Sequence, residues 1–378
     1  MQGSGTIELD ERGRPCFRPS VPVFPTMDAV WQPHDRAVQA VAAFDRALAA
    51  FPVAGVVGKL FARLDAVHSS GAEGSTTTFS DLLGFESALH RARDPEDAEA
   101  VAACAEAFDA LAIADLTSPS QAALAIHRRL FERARDPLYA GLAGRWKVLA
   151  NATYEAESGT VFHYARPASV PVAMAEWERF TLAAESERSE FVRQALSHWM
   201  FEHIHPVPDG NGRVGRLLVP LLLRQKGATA QACAFMGEAT HHDKAIYVEA
   251  LKQARRTGDM TGWVRVCLAM IAETATANLA RLEALGGVLV AWQSAVRGIR
   301  ANSVAHPLLP WILTKPRFTV TDAAAAMGQS FASLNNAVAR LTALGLIAQV
   351  GSAGRDRLFE AASVIRLFEA PAGPETMS

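Results

Sequence analysis

The sequence predicts a mainly α-helical protein with one β-hairpin and a small C-terminal winged helix-turn-helix domain. Apolar residues recur every three or four positions through most of residues 34–285, which is typical of helices that bury one face. Residues 148–167 instead alternate apolar and polar side chains around Ser158-Gly159, a pattern typical of a hairpin. From about residue 304, three short helical stretches precede two strand-like stretches around a Gly-Ser-Ala-Gly turn. That is the element order of a winged helix-turn-helix.

The elements follow in order along the chain. Residues 1–32 contain few periodic apolar positions, and Pro19, Pro22, Pro25 and Pro33 favour an extended lead-in over a helix. The helical period then begins and recurs in nine further segments: 53–68, 80–91, 95–111, 119–135, 171–185, 187–204, 212–226, 243–256 and 261–285.

The composition is that of a soluble globular protein, since 50% of the 378 residues are apolar and 20% are charged. A formal net charge of −2 creates no overall field for nucleic acid or an anionic membrane. No apolar run reaches the roughly 20 residues that span a bilayer, and the opening "MQGSGTIELDERGRP" lacks the apolar core of a secretory signal. The four cysteines lack C-x-x-C spacing, which argues against a zinc cluster or a disulfide framework. We therefore expect a cytoplasmic protein without a membrane partner.

The most informative stretch is "HPVPDGNGRVGR", residues 205–216, which lies between two predicted helices. Asp209, Gly210, Asn211 and Gly212 then lie at a helix N-terminus, where backbone N–H groups lack partners and the helix dipole is positive. The glycines let those N–H groups approach a phosphate closely.

The charged side chains of this stretch suit phosphoryl-type transfer. Arg213 and Arg216 are three positions apart, so they share a helical face and can clamp phosphates. Asp209 offers a hard oxygen to Mg²⁺, and His205 has an ordinary pKa near 6.5, which suits a general base. The alternative is a capped turn with solvated arginines. That alternative holds for each residue alone, but a cap does not need two glycines, two arginines and a His-Pro pair.

The same stretch resembles the signature of Fic (filamentation induced by cAMP) proteins, H-P-F-x-D/E-G-N-G-R-x-x-R, with Val207 at the position of the family's Phe. The resemblance implies an all-helical Fic core that transfers AMP from ATP, with Mg²⁺, to hydroxyl groups of proteins. It implies that His205 is the base and Asp209 the metal ligand. It further implies that Gly210, Asn211 and Gly212 cradle the α-phosphate and that Arg213 holds the β-phosphate side.

A second motif lies upstream in "HSSGAEGSTTT", residues 68–78. Its composition is that of a flexible loop, but it also resembles the Fic inhibitory motif S/T-x-x-x-E-G/N, with Ser69, Glu73 and Gly74 in register. This resemblance implies that Glu73 pairs with Arg216 and keeps the γ-phosphate from that guanidinium. Ala72 stands where the family usually has a bulky apolar residue.

Two further candidates, the hairpin and Tyr247, each allow two interpretations. The hairpin at 148–167 is either a simple edge hairpin or the flap on which Fic proteins dock a target segment. Tyr247 is either a nucleoside contact or core. His203, His241 and His242 lack accompanying Cys or carboxylate residues at ligand spacing, so we do not expect a metal there.

These patterns predict four regions: an N-terminal helical region (1–112) with the inhibitory motif, a Fic core (113–290), a winged-helix domain (304–367) and a disordered tail (368–378). The function expected is an autoinhibited protein adenylyltransferase whose partners are Ser, Thr or Tyr hydroxyls of target proteins, the chain itself included. The alternatives are an AMP-removing or bifunctional Fic enzyme, and a nucleotide-sensing transcription regulator.

DNA is a poor partner for the winged-helix domain, because only Arg340 lies in the recognition helix and only Arg355 and Arg357 in the wing. Homodimerisation stays open.

Overall fold

The computed structural model describes residues 4–87, 93–156, 159–184, 188–350 and 357–370. It is 64% helical with only small sheets, which confirms the predicted fold class. The helices are α1 (Met27–Ala50), α2 (Ala54–Gly71), α3 (Phe79–Glu86), α4 (Pro95–Leu111), α5 (Pro119–Phe131), α6 (Pro137–Leu142), α7 (Val170–Leu182), α8 (Glu190–Ile204), α9 (Asn211–Gln225), α10 (Gly237–His242), α11 (Lys244–Thr257), α12 (Thr261–Ala295), α13 (Ala305–Thr314), α14 (Val320–Met327), α15 (Phe331–Ala343) and α16 (Ala362–Glu369). The strands are β1 (Gly5–Leu9), β2 (Pro15–Pro19), β3 (Ala152–Glu155), β4 (Thr160–His163), β5 (Arg317–Thr319), β6 (Ala348–Gln349) and β7 (Leu358–Glu360). Among the described helices, none combines the length and the apolar character needed to cross a membrane.

The chain forms two compact units. The first unit contains residues 1–45, 68–75 and 103–276, and the second contains 46–67, 76–102 and 277–378. The segment 68–75, which carries the second motif, thus lies in the same unit as residues 205–216. The division into four regions stays a prediction.

The first unit is built around α8, whose residues from Phe191 to Ile204 are all buried. Two tryptophans hold this helix through its backbone: the indole N–H of Trp177 donates to the Ser197 carbonyl at 2.9 Å, and that of Trp263 donates to the Ala195 carbonyl at 2.7 Å. A buried indole needs such an acceptor for its polar end. These contacts fix the helix that leads into the 205–216 stretch.

Residues 4–26 are extended and contain no helix, as expected, but β1 and β2 form an antiparallel hairpin there, and α1 already begins at Met27 with Pro33 inside it. Asp10 closes the hairpin turn by accepting from the backbone N–H groups of Arg12 and Arg14, both at 2.9 Å. Phe17 of β2 packs against Phe162 and His203, with ring centroids 5.9 Å from each. This apolar contact explains why the N-terminal segment belongs to the core unit.

The second unit contains the C-terminal helices and a three-stranded sheet of order β5-β7-β6. Arg317 of β5 donates to Glu360 of β7 at 2.6 Å and to the Ser80 carbonyl at 2.7 Å. The predicted Gly-Ser-Ala-Gly turn and Arg355 lie outside the described residues, as do 371–378 of the predicted tail, whereas Phe368 and Glu369 are helical in α16. The winged-helix assignment stays a prediction.

Helices α8 and α9 pack closely against each other at Gly215. A Cβ atom at this position would lie 2.6 Å from Oε1 of Glu202 and 3.0 Å from the ring of His198. These side chains are buried and have little room to move. The helix pair that carries the 205–216 stretch therefore depends on glycine at residue 215.

We predict that Gly215→Ala lowers the free energy of unfolding by about 1–3 kcal/mol, the usual cost of overpacking a core. Gly287→Ala is the matched control, because Gly287 also lies inside a helix but a Cβ there meets nothing within 4 Å. The control should stabilise the protein by up to about 1 kcal/mol through helix propensity. Thermal and urea unfolding followed by circular dichroism measure both effects, and equal stability of the two variants would contradict the packing described here.

Candidate active site

His205 ends α8 in a left-handed conformation with φ of 51°, and no other non-glycine residue in the described segments has a positive φ. Such a conformation is strained for a residue with a Cβ and persists only where the surroundings hold it. The ring of Tyr164 stacks on the imidazole with centroids 3.9 Å apart and an interplanar angle of 12°. The strain therefore lies at the residue that the sequence predicts to be the base.

The hydrogen bonds of His205 fix its tautomer. Nδ1 lies 3.1 Å from the Glu202 carbonyl oxygen, which can only accept, so Nδ1 carries the proton and Nε2 is free to accept one. Burial and the nearby charge of Lys147 lower the pKa of His205 to about 3. The imidazole is therefore neutral at physiological pH, as a general base must be.

The loop after His205 closes on itself. The side chain of Asn211 accepts from the Val207 N–H at 3.0 Å and donates to the Val207 carbonyl at 2.9 Å. Val207 is fully buried, so the valine fills the core-facing position expected of it. Because the Asn211 side chain is used on the loop itself, its contribution to an anion would come from its backbone.

Arg216 is buried at 2% exposure and is held by the end of α2 and the residues that follow it. Its Nε donates to Ser69 Oγ at 2.8 Å, and its Nη2 donates to the Ser69 carbonyl at 2.8 Å and to Glu73 Oε1 at 2.6 Å. Burial alone would raise the pKa of Glu73. The charge and the hydrogen bond of Arg216 oppose this effect, and the net result is a pKa below the ordinary value. The structure thus brings together Ser69, Glu73 and Arg216, with an ion pair between the partly exposed carboxylate and the buried guanidinium.

Gly212 provides the space for this ion pair. A Cβ at residue 212 would lie 2.2 Å from Oε1 of Glu73 and 2.8 Å from Nη1 of Arg216. Glu73 therefore occupies the surface of the helix N-terminus on which the sequence predicts a phosphate.

The two signature arginines have different surroundings. The Arg213 guanidinium lies 5.5 Å from the centroid of the Phe131 ring, and its Nη2 is 3.9 Å from Asp209 Oδ2. Arg213 is thus free of the ion pair that holds Arg216. Asp209 is 54% exposed and accepts from the Gly210 N–H at 2.7 Å.

A cavity of about 300 Å³ opens beside these groups. The side chains that reach it include the base, the ion pair and Tyr247, whose hydroxyl lies 2.7 Å from Nε2 of His198. Tyr247 is therefore both core and cavity wall. The lining residues are Ala72, Glu73, Thr153, Glu155, Tyr164, Glu202, His203, His205, Gly212, Arg216, Thr240, Lys244, Tyr247, Val248, Leu251, Lys252 and Arg255.

Three residues at this site were missed by the sequence analysis: Lys147, Tyr164 and Glu202. Burial raises the pKa of Glu202 to about 8 against the opposing charge of Arg216, so this acid is protonated at neutral pH. Glu202 lies one helical turn before His205, which was the one available signal. Lys147 and Tyr164 come from the hairpin region, where nothing local indicates proximity to the loop.

The residues present suit one Mg²⁺ ion carried by a nucleotide. Asp209 alone supplies an exposed carboxylate at the loop, and Mg²⁺ normally keeps waters and phosphates around one or two carboxylates. Within the described ranges, no group of three or more His, Cys, Asp or Glu side chains could enclose a metal.

Comparison with known proteins agrees with the signature. Residues 116–223 match the model of the Fic/DOC family. A probable protein adenylyltransferase from Aquifex aeolicus is 37% identical over 62 residues, which are 16% of this chain and 17% of that protein. The protein adenylyltransferase Fic from Nematostella vectensis is 36% identical over 86 residues, which are 23% of this chain and 18% of that protein. The match thus covers less than a fifth of either relative's length.

The fold extends the likeness beyond these short matches. A solved Fic family protein from Desulfovibrio desulfuricans superposes with a TM-score of 0.57 at 17% identity, over 90% of this chain and 98% of that one. The signature residues 205–216 lie within the segment matched by the family model. Residues 116–223 thus match the Fic/DOC family, and the chain has the fold of a solved Fic family protein.

Proposed function

We propose that this protein is an adenylyltransferase that moves AMP from ATP to a Ser, Thr or Tyr hydroxyl of a target protein. The observation that carries the proposal is the neutral His205, with Nε2 free to accept a proton, in one cavity with Gly212 and Arg216. The names of the curated relatives, both protein adenylyltransferases, support it.

The proposed reaction uses the groups of the loop in turn. Nε2 of His205 takes the proton of the target hydroxyl, and the hydroxyl oxygen attacks the α-phosphorus of ATP. The bond from that phosphorus to the bridging oxygen breaks, and pyrophosphate leaves. The backbone N–H groups of Asn211 and Gly212 at the start of α9 stabilise the charge on the α-phosphate, and Arg213 stabilises that on the leaving group. Asp209 would hold Mg²⁺, which neutralises phosphate charge.

Glu73 is the proposed inhibitor of this reaction. Its carboxylate occupies the Arg216 guanidinium that the γ-phosphate would need and adds like-charge repulsion against that phosphate. ATP then binds only in a pose unsuited to in-line attack.

Main-chain pairing along the β3–β4 hairpin would present the target hydroxyl.

We predict that Glu73→Gly raises AMP transfer at least several-fold, because it frees Arg216 for the γ-phosphate. Labelled AMP incorporation into lysate proteins, with each of ATP, GTP, CTP and UTP supplied separately, measures the effect and the nucleotide preference. Glu132→Gly is the matched control, since Glu132 also follows a helix end but pairs with Arg129 at the surface. Equal incorporation by wild type, Glu73→Gly and Glu132→Gly would contradict autoinhibition.

Within the Glu73→Gly background, His205→Ala should reduce AMP transfer by about 100-fold or more, the usual contribution of a general base. Nucleotide binding measured by calorimetry should change little, because His205 acts on the target hydroxyl. Full transfer activity in the double variant would remove His205 from the mechanism.

Within the same background, Asp209→Asn should raise the Mg²⁺ concentration needed for half-maximal transfer by about tenfold or more, since the loop then lacks its metal-binding carboxylate. A Mg²⁺ titration of the transfer rate measures this shift. Asp28→Asn, which changes an exposed acid in the first turn of α1, is the control. Identical Mg²⁺ dependence of both variants would place the metal elsewhere.

A further inference from the structure

One residue holds a carbonyl group on each side of His205. The Nζ atom of Lys147 donates to the Ile204 carbonyl at 3.2 Å, and the backbone N–H of Lys147 donates to the Pro206 carbonyl at 2.8 Å. Ile204 directly precedes His205, and Pro206 directly follows it. The left-handed turn at His205 is therefore clamped from both sides by a single lysine.

The same short segment holds the rest of the loop. Asn151, four residues after Lys147, donates through Nδ2 to the carbonyls of Val207 at 2.9 Å and Pro208 at 3.1 Å. The segment 147–151 leads directly into β3, so the start of the hairpin and the loop of the base form one hydrogen-bonded unit.

Burying the Lys147 amine costs free energy, which indicates that this side chain does more than fill space. It is buried, and no carboxylate in the described part of the chain pairs with it. Burial lowers the pKa of Lys147 to about 7, against a small opposing effect of Cys16. An apolar residue would avoid this desolvation cost but would leave the Ile204 carbonyl without its donor.

We propose that Lys147 is the positioning residue of the catalytic base, holding His205 in its left-handed conformation and keeping a positive charge beside the imidazole. This inference rests on the proposed function for its kinetic consequence. Its structural consequence, the state of the imidazole, does not depend on that function. Lys147 acts through His205 and the loop and need not touch ATP or the target.

Two variants at one position test the proposal. Lys147→Met removes the Nζ donor and its charge, whereas Lys147→Arg keeps a side-chain donor and a charge; the backbone bond to Pro206 is present in both. Lys226→Met is a matched control, because Lys226 Nζ also donates to two carbonyl oxygens, those of Leu182 and Ala183, each at 3.2 Å. All are made in the Glu73→Gly background, and Lys147→Gln replaces Lys147→Met if the latter does not fold.

The expected result is a split between kinetic constants. Lys147→Met should lower kcat for AMP transfer by about 100-fold, the cost of misplacing a reacting group by about an ångström. The KM for ATP should change little. Lys147→Arg should recover a large part of kcat, and Lys226→Met should match the parent. A loss in kcat that Lys226→Met shares, or a loss that Lys147→Arg does not relieve, would overturn the proposal.

The second readout is the titration of His205, followed by NMR of the imidazole in samples labelled at histidine. The charge of Lys147 lowers the pKa of His205, so Lys147→Met should raise that pKa and Lys147→Arg should not. An unchanged pKa in Lys147→Met would overturn the proposal. If the parent Glu73→Gly protein transfers no AMP, the proposed function is refuted. The titration of His205 would still decide the role of Lys147.

Discussion

The buried guanidinium of Arg216 is the interaction on which the site depends. Leaving such a charge without an anion costs about 3–5 kcal/mol, so Arg216 needs a partner at all times. In this structure the partner is Glu73, which is 41% exposed while Arg216 is 2% exposed. The cation is thus fixed in the core, and the carboxylate lies where solvent can reach it. An incoming phosphate can replace the carboxylate without exposing the cation, which is the physical basis of the proposed inhibition.

A second constraint concerns the loop of the base. The carbonyls of Ile204, Pro206, Val207 and Pro208 all have donors, and these come from Lys147, Asn151 and Asn211. Because every one of these bonds is internal, the loop keeps a left-handed residue that would otherwise relax. None of these bonds uses the backbone N–H groups of Asn211 and Gly212 at the start of α9. The bonds that hold the loop therefore leave those two donors to an anion.

The sequence predicted the parts of this site that are local in the chain. The residues from His205 to Arg216 lie in one stretch, so their spacing alone placed base, glycines and arginines together. Ser69 and Glu73 were found only through a motif, because nothing in a short polar segment indicates a partner almost 150 positions away. Lys147 and Glu202 were not found, since a lysine and a glutamate in these contexts usually lie on the surface. Their roles come from burial, which depends on tertiary packing.

The fold shows the same division between local and distant information. Helical periods predicted most helices to within a few residues. The β1–β2 hairpin was missed because the prolines of residues 1–32 suggested an irregular extended segment, and the turn between the two strands was not recognised. Asp10 and Gly13, with φ of 72° at Gly13, were the available signal. The hairpin is stable because Phe17 packs on Phe162 and His203, a contact invisible before the core is assembled.

Ala72 shows how the same reasoning applies to the inhibitory segment. The family usually has a bulky residue at this position, which would anchor the segment by apolar packing. Here Ala72 is buried, and at Gly71 a Cβ would lie 2.6 Å from the ring of His241. The segment therefore lies directly against α10 at Gly71. Its position is fixed by this close approach and by the two bonds from Arg216 to Ser69. Those bonds do not involve Glu73, so the carboxylate can leave Arg216 while the helix end stays attached.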